Sequence, residues 1–149
     1  MTVLEVGINL GMRNLVEIRY YPSSEDKPNA EARAKFLDGL GDYIDEVFGD
    51  EIDVISLSNF NVVCCCEMIK SSDDSSKEPL LSYAIIEKDT NADFVKQHLR
   101  KIISDFLVYF SLDEIYSKNS TFFEKFIPRI DKILGELKSK LEDRIKSIF

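Results

Sequence analysis

Leu4, Val6, Ile8 and Leu10 alternate with Glu5, Gly7 and Asn9 near the start of the chain. An apolar period of two commits this segment to a half-buried strand, because successive side chains on an extended backbone point to opposite faces. Beyond "NLGMRN", whose Gly11 suits a tight turn, Val16, Ile18 and Tyr20 alternate with Glu17, Arg19 and Tyr21. The two segments therefore predict a β-hairpin, which Pro22 ends. An isolated hairpin is marginal in water, so the rest of the chain must supply more sheet and a cover for it.

Those pieces are visible further along. Phe36, Leu37, Leu40, Tyr43, Ile44, Val47 and Phe48 recur at three- and four-residue spacing, predicting a helix over 30–48 that stops at Gly49. Three strand-like runs follow, "EIDVISLSN", "NVVCCCEMIK" and "LLSYAIIEK", which read as an antiparallel meander. The polar run "SSDDSSKEP" predicts a surface loop between the last two. Thr90 or Asn91 offers an N-cap for a helix with a wide stripe from Phe94 to Phe110, and Asn119 or Ser120 caps a final helix reaching Ile148. Pro128 predicts either a kink in that final helix or a true start near Ile127. The order ββαβββαα predicts an α/β (α+β) sandwich: a five-stranded antiparallel sheet with one helix on one face and two on the other. Continuous apolar runs in the central strands call for cover on both faces.

A chain of 149 residues fits a single domain, 1–149, able to bury a core without disulfide or metal staples. Its net charge of -8 opposes nucleic acid as a partner, since phosphate backbones need a basic surface. The imbalance is uneven, because residues 118–149 carry 8 Lys/Arg against 5 Asp/Glu. No apolar run is long enough for an integral membrane segment, and "MTVLEVGINLGMRN" lacks the basic start of a signal peptide, so the expected compartment is cytoplasmic. The only three cysteines are contiguous, which forms no disulfide framework and agrees with a reducing environment.

Few residues suggest chemistry. In a strand, Cys64 and Cys66 point one way and Cys65 the other with Val63, so the three thiols do not converge. A zinc site from Cys64, Cys66, the lone His98 and a carboxylate would require the helix after residue 91 to cross the Cys64 face. Cysteine in a covered central strand is instead a small buried hydrophobe. His98 lies at the edge of an apolar stripe, with no local nucleophile or orienting carboxylate. Asp38, Asp42, Asp45, Glu46, Asp50, Glu51 and Asp53 lack the spacing of a calcium loop and read as a solvated face. Neither Gly7 and Gly11 nor Gly39 and Gly41 open a phosphate loop or a dinucleotide fingerprint. No catalytic residue, cofactor or metal is therefore assigned. If the final helix overhangs the domain, it exposes Leu141, Ile145, Ile148 and Phe149 for association.

The hairpin "TVLEVGINLGMRNLVEIRYY", the helix "ARAKFLDGLGDYIDEVF" and the meander before two long helices together resemble a longin domain, a relative of roadblock and profilin-like folds. The likeness is one of topology and pattern over essentially the whole chain. It implies a non-enzymatic protein-binding platform in membrane traffic: an adaptor or regulator, a homo- or heterodimer, engaging a small Ras-like GTPase. It also implies that association runs through the helix at Phe36, Leu40, Tyr43 and Val47 and the adjoining strand at Ile52, Val54 and Ile55. The other reading is a small-molecule sensor or an enzyme on a profilin-like scaffold.

Overall fold

A computed structural model describes residues 3–11, 13–20, 54–56, 60–70 and 77–135. The protein is a mixed α+β structure built on one antiparallel sheet. Its strands are β1 (Val3–Leu10), β2 (Arg13–Arg19), β3 (Val54–Ser56), β4 (Phe60–Ile69) and β5 (Glu78–Glu87). They lie in the order β2-β1-β5-β4-β3, so the N-terminal hairpin docks along the last strand of the meander. Gly11 makes the hairpin turn at φ +58°, where a side chain would strain the backbone. Its N–H donates to the Pro79 carbonyl at 2.9 Å, tying the turn to β5.

Alternation suggested a half-buried β1, but every residue from Val3 to Leu10 is buried. The reason is position: β1 sits between β2 and β5, and the sheet is covered on both faces there. The pairing with β5 also slips between Val3 and Glu5, a bulge that places Val3 rather than Leu4 in the core beneath the helices.

Helix α1 (Ala92–Tyr109) starts where Asn91 accepts from the Phe94 N–H. Its buried Val95, Leu99, Ile102, Ile103 and Phe106 pack on Val63, Cys65, Leu80, Ala84 and Ile86 of the sheet. A short α2 (Leu112–Ser117) follows, set by a capping box in which Ser111 and Glu114 satisfy each other's backbone. The predicted final helix is divided. Asn119 caps α3 (Ser120–Phe123), a 3-10 turn spans Glu124–Phe126, and α4 (Ile127–Leu134) begins afresh with Pro128 in its first turn. A first-turn proline has no helical hydrogen bond to lose, which reconciles the apolar pattern with the break. Helix α4 ends at Gly135, whose φ of +55° departs from the helical path. Leu137, Leu141, Ile145, Ile148 and Phe149, expected on one continuous helix, lie outside the described residues.

Helix α1 joins the segments after it through an aromatic cluster. The Phe106 ring lies 4.9 Å from Phe110, 5.4 Å from Phe123 and 5.2 Å from Phe126, centroid to centroid. On the other face of the sheet, Leu4, Val62, Cys64, Leu81, Tyr83 and Ile85 are buried without belonging to this core. The helix read at 30–48 and the loop at 71–76 fall outside the described residues.

Candidate functional site

The register of β4 on β5 settles the geometry of the thiols. Cys64 pairs with Tyr83, Cys65 with Ser82 and Cys66 with Leu81. Cys65 joins Val63 in the core under α1, whereas Cys64 and Cys66 alternate onto the opposite face. His98 rides on α1, on the Cys65 side, so the conceivable Cys64–Cys66–His98 set is split by the sheet. Among the described residues no group of three or more His, Cys, Asp or Glu could hold a metal ion. Burial, reinforced by the neighbouring Cys65 and Cys66, pushes the Cys64 thiol far above its ordinary range. Cys66 is pushed up to about 11, by burial first and then by Cys65 and Glu67. Both are thiols rather than nucleophilic thiolates at neutral pH. Native labelling at mildly alkaline pH should accordingly modify Cys66 slowly and leave Cys64 untouched, all three cysteines reacting only after unfolding. Mass spectrometry over a labelling time course checks this, and rapid triple modification of the folded protein would contradict the placement.

The described chemistry concentrates instead between α1 and α4. Gln97, His98 and Lys101 from α1 face Arg129, Lys132 and Ile133 from α4 across an open groove of about 400 Å³. The helical period produces each wall: 97, 98 and 101 share one side of α1, and 129, 132 and 133 share one side of α4. His98 Nδ1 lies 2.8 Å from the Phe94 carbonyl, so this nitrogen carries the hydrogen and donates. An edge-on contact with the Phe94 ring at 4.7 Å further holds the imidazole.

Asp105 clasps the two walls. Its Oδ1 lies 3.0 Å from Lys101 Nζ, one helical turn away. Its Oδ2 accepts from Arg129 Nε at 2.8 Å and lies 2.7 Å from Arg129 Nη2. Burial raises the Asp105 pKa, but the hydrogen bonds and charges of Lys101 and Arg129 outweigh it and hold the carboxyl below the usual carboxylate range. A lowered native pKa contributes stability that is present above the unfolded value, about 4, and is lost as pH falls through the native one. Asp105→Asn should therefore be less stable than wild type at neutral pH, with the gap in urea midpoints closing as the pH is taken below about 4. A gap that persists unchanged in acid would show that the clasp is not electrostatic. Nearby, the Tyr20 hydroxyl donates to Asp131 Oδ1 at 2.5 Å, linking the end of β2 to α4.

A smaller depression of about 230 Å³ lies between β2 and the helices, lined by Asn14, Leu15, Val16, Glu17, Ser120, Glu124 and Ile127. It gathers two carboxylates and no cation among the described residues.

Of the association residues expected from sequence, Phe36, Leu40, Tyr43, Val47 and Ile52 lie outside the described residues, as does the acidic series from Asp38 to Asp53. Val54 and Ile55 are on β3, paired with Val63 and Val62. β3 ends the sheet order, with β4 as its only strand neighbour among the described residues. Gly11 makes the hairpin turn and Gly7 leaves room for the Tyr83 ring, whereas Gly39 and Gly41 lie outside the described residues. Sequence reasoning missed the groove, because its walls come from segments about thirty residues apart. The one local signal was the Lys101–Asp105 pair at i, i+4 spacing. No helix among the described residues is long and apolar enough to cross a membrane. Compared with known proteins, the chain matches no family model and no curated sequence.

Proposed function

We propose that this chain is a non-enzymatic protein-binding platform of the longin type, a cytoplasmic adaptor or regulator of a small Ras-like GTPase or of membrane-traffic machinery, acting as a homo- or heterodimer. The observation that carries the reading is the sheet edge at β3, where a three-residue strand bearing Val54 and Ile55 has a strand neighbour on one side only among the described residues. Strand edges offer unpaired N–H and C=O groups to a partner strand, so an edge of this kind is a natural place to extend the sheet between chains. The succession of hairpin, meander and helices supports the resemblance. In this reading the helix at 30–48 covers the second face of the sheet, giving one helix there and the later helices opposite. The buried Leu81, Tyr83 and Ile85 support such a cover.

The test is capture of partners from the source cell with and without a nonhydrolysable GTP analogue, comparing wild type with Ile55→Asp. Nucleotide-dependent enrichment of a Ras-like GTPase that the variant loses is the expected result. Enrichment of no protein in either condition would remove the reading. The size of the groove between α1 and α4 favours the second reading, a small-molecule sensor or an enzyme, since ligand pockets begin at roughly 300 Å³. Native mass spectrometry of the purified chain decides it by the presence of a retained ligand.

A further inference from the structure

We propose that the groove between α1 and α4 is a docking site for an acidic peptide segment of a partner protein. The inference rests on the reading of the chain as a protein-binding platform and adds to it a surface separate from β3.

Sign is the first argument. The lining contains three cations, Lys101, Arg129 and Lys132, with His98 and Gln97 beside them, and the Asp105 carboxylate paired to Lys101 and Arg129 offsets only one of those three charges. In a chain of net charge -8 this is a local inversion of sign, and such an inversion steers a partner of opposite charge to one place on the surface.

Preorganisation is the second. Asp105 anchors Arg129 through Nε and Nη2, so this guanidinium is held in position while its third nitrogen takes no part in the clasp. A cation held in advance loses less side-chain freedom on binding than one recruited from solvent. Arg129 is one-third exposed, covered enough to be fixed and open enough to be reached. Lys132 is exposed and has no ion-pair partner among the described residues. The one carboxylate beside it in sequence, Asp131, already accepts the Tyr20 hydroxyl.

Shape decides between occupants. Small-molecule sites typically bury about 70–90% of their ligand, whereas this groove lies open between two helices. An extended chain lies along such a groove, carboxylates on the cations and an apolar side chain against Ile133.

The probe is a fluorescent peptide of Glu-Glu-Leu repeats, titrated with the full chain and followed by anisotropy. Its counterpart with glutamine for glutamate is the neutral control. Lys132→Glu reverses one exposed charge in the groove, and Lys77→Glu makes the same change at an exposed site ahead of β5. The acidic peptide should bind, weaken with added salt, and lose about fivefold in affinity with Lys132→Glu, from one attraction removed and one repulsion added. Lys77→Glu should leave binding unchanged, and thermal melts should show both variants folded. The proposal is overturned if the acidic peptide does not bind, if the glutamine peptide binds as well, or if both variants weaken binding alike. It is also overturned if inorganic phosphate displaces the peptide completely at concentrations that leave ionic strength unchanged, which would mark a small-anion site. Failure here with GTPase capture intact removes the groove alone; loss of capture with peptide binding intact removes the assigned partner alone.

Discussion

Phe106→Ala is expected to lower the free energy of unfolding by about 3–5 kcal/mol, the range for deleting a fully buried aromatic ring. Phe106 is completely buried, and its ring stands within 5.5 Å of Phe110, Phe123 and Phe126. These three rings come from the end of α1, from α3 and from the 3-10 turn, so the cavity would open where three segments meet. Collapse into it is resisted because each neighbour is held by its own rings: Phe110 also meets Phe122 and Phe123, and Lys125 Nζ sits 3.9 Å from the Phe122 ring centroid. Against a typical domain stability of about 5–15 kcal/mol, the loss takes roughly a fifth or more of the total. Urea unfolding followed by circular dichroism measures it. A loss below about 1 kcal/mol would mean that the cluster repacks freely and does not fix the helices.

The second large effect belongs to the smallest side chain in the sheet. Gly7 pairs across β5 with Tyr83, and a Cβ on Gly7 would overlap Cε1, Cζ and Oη of that ring. Tyr83 has little room to retreat, being almost wholly buried, and its hydroxyl donates to Glu5 Oε2 at 2.9 Å. Glu5 is itself fully buried, with Arg19 Nε 3.7 Å from its other oxygen. Moving the ring therefore adds the cost of disturbing a buried polar pair to that of overpacking, and Gly7→Ala is expected to destabilise by about 2–4 kcal/mol. The mechanism predicts strong coupling. In a Tyr83→Ala background the same substitution should cost at least about 1 kcal/mol less. Equal costs in the two backgrounds would place the penalty in the backbone rather than in the ring.

The parts of this fold legible from sequence were those written in local periodicity. The β1–β2 hairpin, β4, β5 and α1 follow from alternation and helical spacing, with Asn91 marking the start of α1. Pro128 marked the break before α4, although the pattern alone did not divide the segment into α3, a 3-10 turn and α4. The capping signature Ser111-x-x-Glu114 precedes a helix whose six residues are too few to show a period, so periodicity does not reveal α2. The bulge at Val3 and Glu5 was hidden, since register depends on the partner strand. The same limit applied to the groove, whose cations become neighbours only when α4 folds back along α1. Strand parity alone divided the three thiols between two faces, and the pairing with β5 agrees.

The central position of β1 also has a consequence for how the chain is made. β1 can complete its pairing only when β5, some seventy residues later, has emerged, and the Tyr20 hydroxyl waits longer still for Asp131. Contacts so distant in sequence slow folding, because loop closure must precede any return from pairing. A nascent chain ending before residue 78 therefore presents one long side of β1 unpaired, an apolar strand edge of the kind that recruits other chains. On the ribosome this protein is a candidate for chaperone protection from the emergence of β1 until β5 has followed it.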